Sequence, residues 1–457
     1  MTRLDRIAIT VIITAVIAIA AVIAVGGNVP VTATCLNCAQ ISPYGALDLE
    51  FSRAVEPQKI ENLWRIDPIV PGRWTWLDDR HARWHSLVAL PAARTVSAGF
   101  SSGSAGMNGE RFREEIRWEM SVRQPLIMAL TAADEVDAQL YLFDPATDEP
   151  PQPLTHSAGL ILDYSPSPDG QQVAFSVINL TGGSDIWTVE RDGSNERMLL
   201  ECGTDRCTAP SWSPASAELA YTRETSGIDP QGARGAPRIH ILNTISGATS
   251  PLFIDPQQIG YGANWSPDGV WIAIWDGING GIKVTNRQTG AALLLQSDNG
   301  DTGSWSADSR TLFYTDIVAG EAGYHNLVLQ AEIDAGEDAT AAVSVYLGGN
   351  ADGTGLSYND PIANPVSDSL VVAAQANVSV PGKEVLIHRE GASQPITVVN
   401  DISRIPAFFN WSPSGEELVF QMLPWGGSPE QTEVWIWDEA QGARRLASGF
   451  KTPNWLP

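Results

Sequence analysis

From about residue 125 onward, apolar residues fall in short runs rather than with helical spacing. Val173-Ala174-Phe175, Leu219-Ala220-Tyr221, Trp271-Ile272-Ala273, Leu312-Phe313-Tyr314 and Leu418-Val419-Phe420 each follow a polar turn. Runs this short, rich in aromatic and β-branched residues, predict strands buried on both faces. A further strand comes after each, as in Asp185-Ile186-Trp187-Thr188-Val189, Arg238-Ile239-His240-Ile241-Leu242 and Glu433-Val434-Trp435-Ile436-Trp437. A weaker fourth follows, such as Met198-Leu199-Leu200 or Ala292-Leu293-Leu294.

The turns themselves repeat. Ser165-Pro166-Ser167-Pro168-Asp169-Gly170, Trp212-Ser213-Pro214, Asn264-Trp265-Ser266-Pro267-Asp268-Gly269, Ser304-Trp305-Ser306-Ala307-Asp308-Ser309 and Asn410-Trp411-Ser412-Pro413-Ser414-Gly415 are copies of one block, and Asn364-Pro365-Val366-Ser367-Asp368-Ser369 is a degenerate copy. Proline fixes φ, aspartate caps the turn and glycine accepts positive φ. With the turn serine placed at 167, 213, 266, 306, 366 and 412, the steps are 46, 53, 40, 60 and 46 residues. Such periods, with four strands each, predict propeller blades. Leu126–Leu130, Gln139–Phe143 and Gln152–Thr155 supply strands two to four of one more blade, and Pro453–Pro457 supplies its first strand. The expectation is a seven-bladed β-propeller closed by the C-terminal strand, with six blades as the alternative because the copy at 364 is poor. Trp212, Trp265, Trp305, Trp411 and Trp455 share one repeat position and are expected to pack blade against blade.

The W-S-P-D-G turn followed by an I-A-F-like strand resembles the PD40 (WD40-like) repeat of TolB-type propellers, which also forms the propeller of prolyl oligopeptidase-like peptidases. The resemblance covers residues 125–457 and implies a fold, since the repeat is structural. Upstream, residues 41–124 alternate strand and turn, which suggests a small β-sandwich. The elements Ser42-Pro43-Tyr44-Gly45, Phe51-Ser52-Arg53-Ala54-Val55, Ile66-Asp67-Pro68 with Gly72-Arg73-Trp74, and Trp118 to Val122-Arg123 resemble bacterial Ig-like domains of the S-layer type. The turn before the sixth strand, Pro91-Ala92-Ala93-Arg94-Thr95, departs from that pattern.

At the N-terminus, Arg3 and Arg6 precede an uncharged run from Ile7 to Val25. As a helix it would span about 28 Å, the thickness of a bilayer core. The expected organisation is a cytoplasmic tip and transmembrane anchor (1–27), a stalk (28–40), an Ig-like β-sandwich (41–124) and a propeller (125–457). The basic flank orients the N-terminus to the cytoplasm and the bulk outside. A cleaved signal peptide, giving a secreted protein, is the alternative. The whole is an all-β chain behind a single transmembrane helix.

Four cysteines suit an oxidising compartment. Cys202 and Cys207 bracket a four-residue loop and are expected to form a disulfide; the state of Cys35 and Cys38 is left open. Residues 1–130 hold 13 Lys/Arg against 12 Asp/Glu, whereas residues 131–457 hold 15 against 41. So acidic a body repels phosphate backbones, which disfavours nucleic acid. It fits a solvated exterior, or in a sharper reading a surface that collects cations or a basic partner.

Catalytic signals are sparse. Gly99-Phe100-Ser101-Ser102-Gly103 matches a nucleophile elbow nominally but lies in the sandwich region, and no hydrolase domain is expected beyond the propeller. The six histidines, His81, His85, His156, His240, His325 and His388, fall on different elements, with His81 and His85 not expected to share a face. The expectation is therefore no enzyme, no cofactor, no catalytic residue and no metal site. The expected function is binding or scaffolding outside the membrane, with an unknown protein, peptide or envelope glycan as ligand. A sensor or co-receptor subunit is the second reading, and a propeller hydrolase or lyase the third. Trp275 and Trp425, beside glycine-rich segments, are the candidate ligand-face aromatics.

Overall fold

The computed structural model describes residues 29–107, 109–132, 138–147, 149–157, 159–214, 217–227, 233–320, 323–334, 339–348, 356–375 and 382–457. The run Ile7–Val25, expected to anchor the chain, lies outside these residues. Among the described residues no helix is long and apolar enough to cross a membrane. The chain divides between Gln124 and Pro125 into two compact units.

The first unit is built from two four-stranded sheets. One runs in the order Ala33–Cys35, Ala46–Phe51, His81–Ser86, Gly72–Trp76; the other runs Gln40–Ile41, Ile116–Val122, Thr95–Phe100, Trp64–Asp67. Strict alternation drives their assembly: Leu47, Leu49 and Phe51 point inward while Asp48 and Glu50 stay at the surface, as a half-buried strand requires. Leu49, Phe51, Phe100 and Phe112 share one cluster, and Leu47, Trp84, Val96 and Met120 another. Residues 28–40, expected as a stalk, instead contribute the strands Val29–Pro30, Ala33–Cys35 and Gln40–Ile41 to this unit. Val31 is buried, and Pro30 sits on an edge strand, the place in a sheet where a missing N–H costs least. Cys35 and Cys38 are joined by a disulfide.

In the second unit every sheet is an antiparallel meander of four strands. Two of them, Ile161–Leu200 and Arg206–Pro251, are bridged by a single parallel pair, Ser184 with Arg206. Four more span Tyr261–Gln296, Ser304–Leu347, Ser357–Asn400 and Arg404–Ser448. The remaining sheet is composite. Phe450–Leu456 pairs with Leu126–Thr131, setting Trp455 opposite Ile127, and Leu140–Phe143 and Gln152–Pro153 complete it. Second strands are apolar throughout because each sheet is stacked between two others: Val173, Ala174 and Phe175 are fully buried, as are Leu418, Val419 and Phe420. Burying one such large side chain contributes roughly 1.5–3 kcal/mol.

The repeated turn closes on its serine. Ser266 Oγ accepts the Trp271 N–H (2.9 Å) and donates to Asp268 (2.6 Å), whose carboxylate caps the Val270 N–H. Ser167 and Ser306 make the same set. The backbone also fixes the degenerate copy. Ser412 N–H bonds to the carbonyl five residues on, Glu417, at 2.8 Å; Asn364 N–H bonds likewise to Ser369 at 2.8 Å. The serine position of that copy is therefore Asn364 and not 366, and the tryptophan position is Ala363. An asparagine serves there because its Oδ1 accepts the Val366 and Ser367 N–H groups, closing the turn without serine or aspartate.

The shared tryptophans make one recurrent bond. The indole N–H of Trp212 donates to Ser165, Trp265 to Ser211, Trp305 to Asn264, Trp411 to Ile362 and Trp455 to Asn410, each time to a carbonyl of the preceding sheet at 3.1–3.3 Å. Sheets thus lie side by side with their first strands parallel and their turns at one end. The composite sheet is bonded on both flanks: Tyr164 Oη donates to the Thr452 and Met128 carbonyls, while Asn410 Nδ2 reaches Pro453. Four-stranded antiparallel meanders stacked side by side make a β-propeller architecture.

Candidate binding face

Antiparallel meanders with parallel first strands have two unlike ends. The W-S-P turns and the short links between strands three and four lie at one, the turn face. The links between strands two and three, and from each fourth strand to the next first strand, lie at the other, the loop face.

Exposed apolar side chains gather on the loop face. Leu180, Ile254, Ile278, Ile402 and Trp425 belong to its links and Tyr324 to the near end of the strand Gly323–Asp334, with Ile254 99% and Trp425 63% exposed. Trp425 combines exposure with a fixed backbone. Its N–H bonds to the Ser403 carbonyl (2.8 Å), Gly427 N–H returns to Pro424, and Ser428 with Gln431 caps the short helix Pro429–Gln431. Beneath it, buried Glu433 accepts from Arg404, from Arg445 (3.0 Å) and from the Trp435 indole (2.9 Å). Burial works to raise the Glu433 pKa, but the hydrogen bonds from Trp435 and Arg445 and the two cations hold it below the usual range. Trp275 differs from expectation. It lies inside the strand Trp271–Asp276, paired with Tyr261 and half-buried against the neighbouring core, because Asp276 rather than Trp275 opens the glycine turn.

First strands carry a second feature. Ala209, Gly262, Asp360, Phe408 and Thr452 have φ between 49° and 71°, and each stands three residues before the tryptophan position. Each coincides with a register shift in its pairing, so the strand bulges there. Four of the five are not glycine, and a bulky residue held left-handed is a strained one. Phe408 is also 52% exposed, so its strain is not offset by full burial. Asp163, in the equivalent place of the first copy, is held by Ser176 Oγ (2.6 Å) and Ala209 N–H (2.9 Å); burial nevertheless pushes its carboxyl up. Asp360 is raised too, mainly by burial, with Lys383 opposing and Asp301 adding.

Other candidates are dispersed. Cys202 and Cys207 form a disulfide that packs into the core with Ile186 and Tyr221. His81 and His85 do share the outer face of their strand, since side chains repeat every second residue, contrary to expectation. Four residues of strand still put them about 13 Å apart. His81 is engaged by Asp78 at 2.8 Å, and no group of three metal-ligating side chains converges among the described residues. Gly99 to Gly103 runs from one strand into another, not into a helix.

No family model and no curated protein matches the sequence. Solved structures do. TolB from Acinetobacter baumannii is 11% identical over 86% of this chain and 83% of its own (TM-score 0.45). The β-propeller domain of the trilobed protease from Pyrococcus furiosus is 10% identical over 78% and 93% (TM-score 0.46). The periplasmic gluconolactonase PpgL of Pseudomonas aeruginosa is 16% identical over 73% and 99% (TM-score 0.44). At these identities the likeness concerns fold alone. It corrects one expectation: a chain whose structural neighbours include a lactonase and a protease domain is not excluded from catalysis by its architecture, and the reading "no enzyme" is withdrawn.

Proposed function

We propose that this protein is a binding propeller whose loop face docks a protein partner. The carrying observation is the preponderance of exposed apolar side chains on that face, against Ile245 and Val366 on the turn face, with Trp425 held out on an anchored loop. Large exposed aromatics on rigid backbone are the usual centres of protein interfaces, since little entropy is lost when they are covered.

The fuller reading has three parts. The seven four-stranded meanders, one of them composite, support a closed seven-bladed ring. In the first unit, the sheet orders 33–35, 46–51, 81–86, 72–76 and 40–41, 116–122, 95–100, 64–67 match the strand arrangement of an Ig-like sandwich. The basic flank and apolar run of residues 3–25, with four cysteines all in disulfides, support a membrane-anchored, extracytoplasmic location.

The test is comparative capture from solubilised envelope. The wild type and an Ile245→Ser variant, altered on the turn face, should retain the same partner. A Trp425→Ala, Ile402→Ser, Ile278→Ser triple variant should lose it at unchanged thermal stability. Equal capture by all three would overturn the assignment.

A further inference from the structure

At the turn face, the residue that follows the third strand reaches the preceding sheet at three junctions. Asn286 pairs with Trp271 and Arg287 follows it; Glu190 pairs with Gln172 and Arg191 follows it; Asp438 pairs with Glu417 and Glu439 follows it. The turns are alike, since Asn286 caps Gln288 and Thr289 as Asp438 caps Ala440 and Gln441. Arg287, Arg191 and Glu439 are thus one structural position.

Where that position is arginine, it fills the junction. Arg287 reaches the Glu218 carboxylate of the preceding sheet at 3.4 Å and lies 6.0 Å from the Trp265 ring centroid. Arg191 donates to the carbonyls of Leu456 (3.2 Å) and Pro457 (2.6 Å) in its own preceding sheet. Where the position is Glu439, between the sheets Ser357–Asn400 and Arg404–Ser448, the junction stands open as a cleft of about 920 Å³. Trp411, the counterpart of Trp265, forms its wall with Trp437, the two rings 6.3 Å apart and near perpendicular.

The cleft is over-supplied with carboxylates. Arg389 pairs with Glu439 at 3.0 Å at the rim, and Arg444 lies 4.0 Å from Asp438. Glu416, Glu417, Asp368 and Glu390 also line it, and none has an ion-pair partner among the described residues. Burial first, then the fields of Asp438 and Glu416, push the Glu417 carboxyl up, with Arg444 opposing. The acids do not converge as a metal cage. What suits them is a broad, weakly hydrated, planar cation able to lie on an indole while bonding carboxylates at its edge, which describes guanidinium better than ammonium.

We propose that this cleft receives an arginine side chain from another polypeptide, seated against Trp411 where Arg287 sits against Trp265. Arginine occupies the position at two junctions and Thr244, Ile333 and Glu390 at three others; what sets this junction apart is the acidic cleft beside Trp411. The site is on the opposite face from the apolar docking surface and is independent of it.

The experiment uses the full chain and a fluorescein-labelled acetyl-Gly-Arg-Gly peptide, read by fluorescence polarisation. Citrulline and lysine versions of the peptide are run alongside. The arginine peptide should bind at least ten-fold tighter than the citrulline one and measurably tighter than the lysine one. Glu417→Gln with Glu416→Gln should weaken it about ten-fold. Asp255→Asn with Asp298→Asn, the same charge removed on the loop face, should leave it unchanged. Glu439→Arg should abolish binding and raise the melting temperature, because the plug is then supplied internally. Citrulline binding as well as arginine, equal weakening by both double variants, or undiminished binding by Glu439→Arg would each overturn the proposal.

Discussion

The indole N–H of Trp455 donates to the carbonyl oxygen of Asn410 at 3.1 Å. It fastens the first strand of the composite sheet to the first strand of the sheet before it. Four other junctions carry the same bond, so the composite sheet is fastened to its predecessor by the contact that joins the other sheets.

Removing that bond should be separable from removing the ring. Trp455→Phe keeps an aromatic ring but strands a carbonyl, and is expected to cost about 1–2 kcal/mol. Trp455→Ala also opens a cavity and is expected to cost about 3–5 kcal/mol. Urea unfolding of both variants measures the difference. Equal losses would mean that the bond contributes nothing.

Asn364 should behave as a turn former. Asn364→Ala forfeits the caps on Val366 and Ser367 and the bond from Nδ2 to the Gly415 carbonyl (2.8 Å), with an expected loss of about 1–2 kcal/mol. Asn364→Ser restores the serine of the other copies and should recover about half. A serine variant no better than alanine would refute the register assigned to this copy.

Acid should weaken the protein through Glu433. Its pKa is depressed in the folded state, so the stability it contributes is present above the ordinary glutamate range and is lost as pH falls through the depressed value. Glu433→Gln is expected to cost about 1–3 kcal/mol at pH 7, the range for charged hydrogen bonds. Once the pH has fallen below the depressed value, the variant and wild type should converge. A gap that persists in acid would contradict the sign of the shift.

The left-handed backbone at Phe408 predicts an inverted order of two small residues. Glycine is ordinarily worse than alanine in a strand, but at φ 54° it carries no Cβ penalty. Phe408→Gly should be about 1 kcal/mol more stable than Phe408→Ala, both having lost the ring. Denaturant midpoints of the two proteins decide it.

Much of this architecture is legible in the residues. Trp-Ser-Pro-Asp-Gly is dense in conformational information, so five imperfect copies suffice to mark where sheets begin, and Trp455 announces the borrowed strand by matching their pattern. What escaped did so for physical reasons. Asn364 performs a serine's work by a different hydrogen-bond pattern, which letter matching at 366 passes over. Residues 28–40 look like a linker because Pro30 and Pro43 suggest extension, yet an edge strand is also extended. The bulges of the first strands leave no glycine signature, since Ala209, Asp360, Phe408 and Thr452 are forced into a conformation that glycine would adopt freely. Trp275 stands one residue before the glycine turn that Asp276 opens, which places its side chain on a sheet. The open junction leaves no motif, because the equivalence of Arg191, Arg287 and Glu439 is a matter of strand register.

The pairing of Leu126 with Leu456 also constrains the order in which the molecule comes into being. During synthesis the segment Leu126–Thr131 emerges long before Phe450–Leu456, so one of its two edges waits unmatched while the intervening sheets follow. Such distant pairings are slow to form, and a waiting apolar edge invites association with other chains. Completion of the composite sheet is therefore gated by the arrival of Phe450–Leu456.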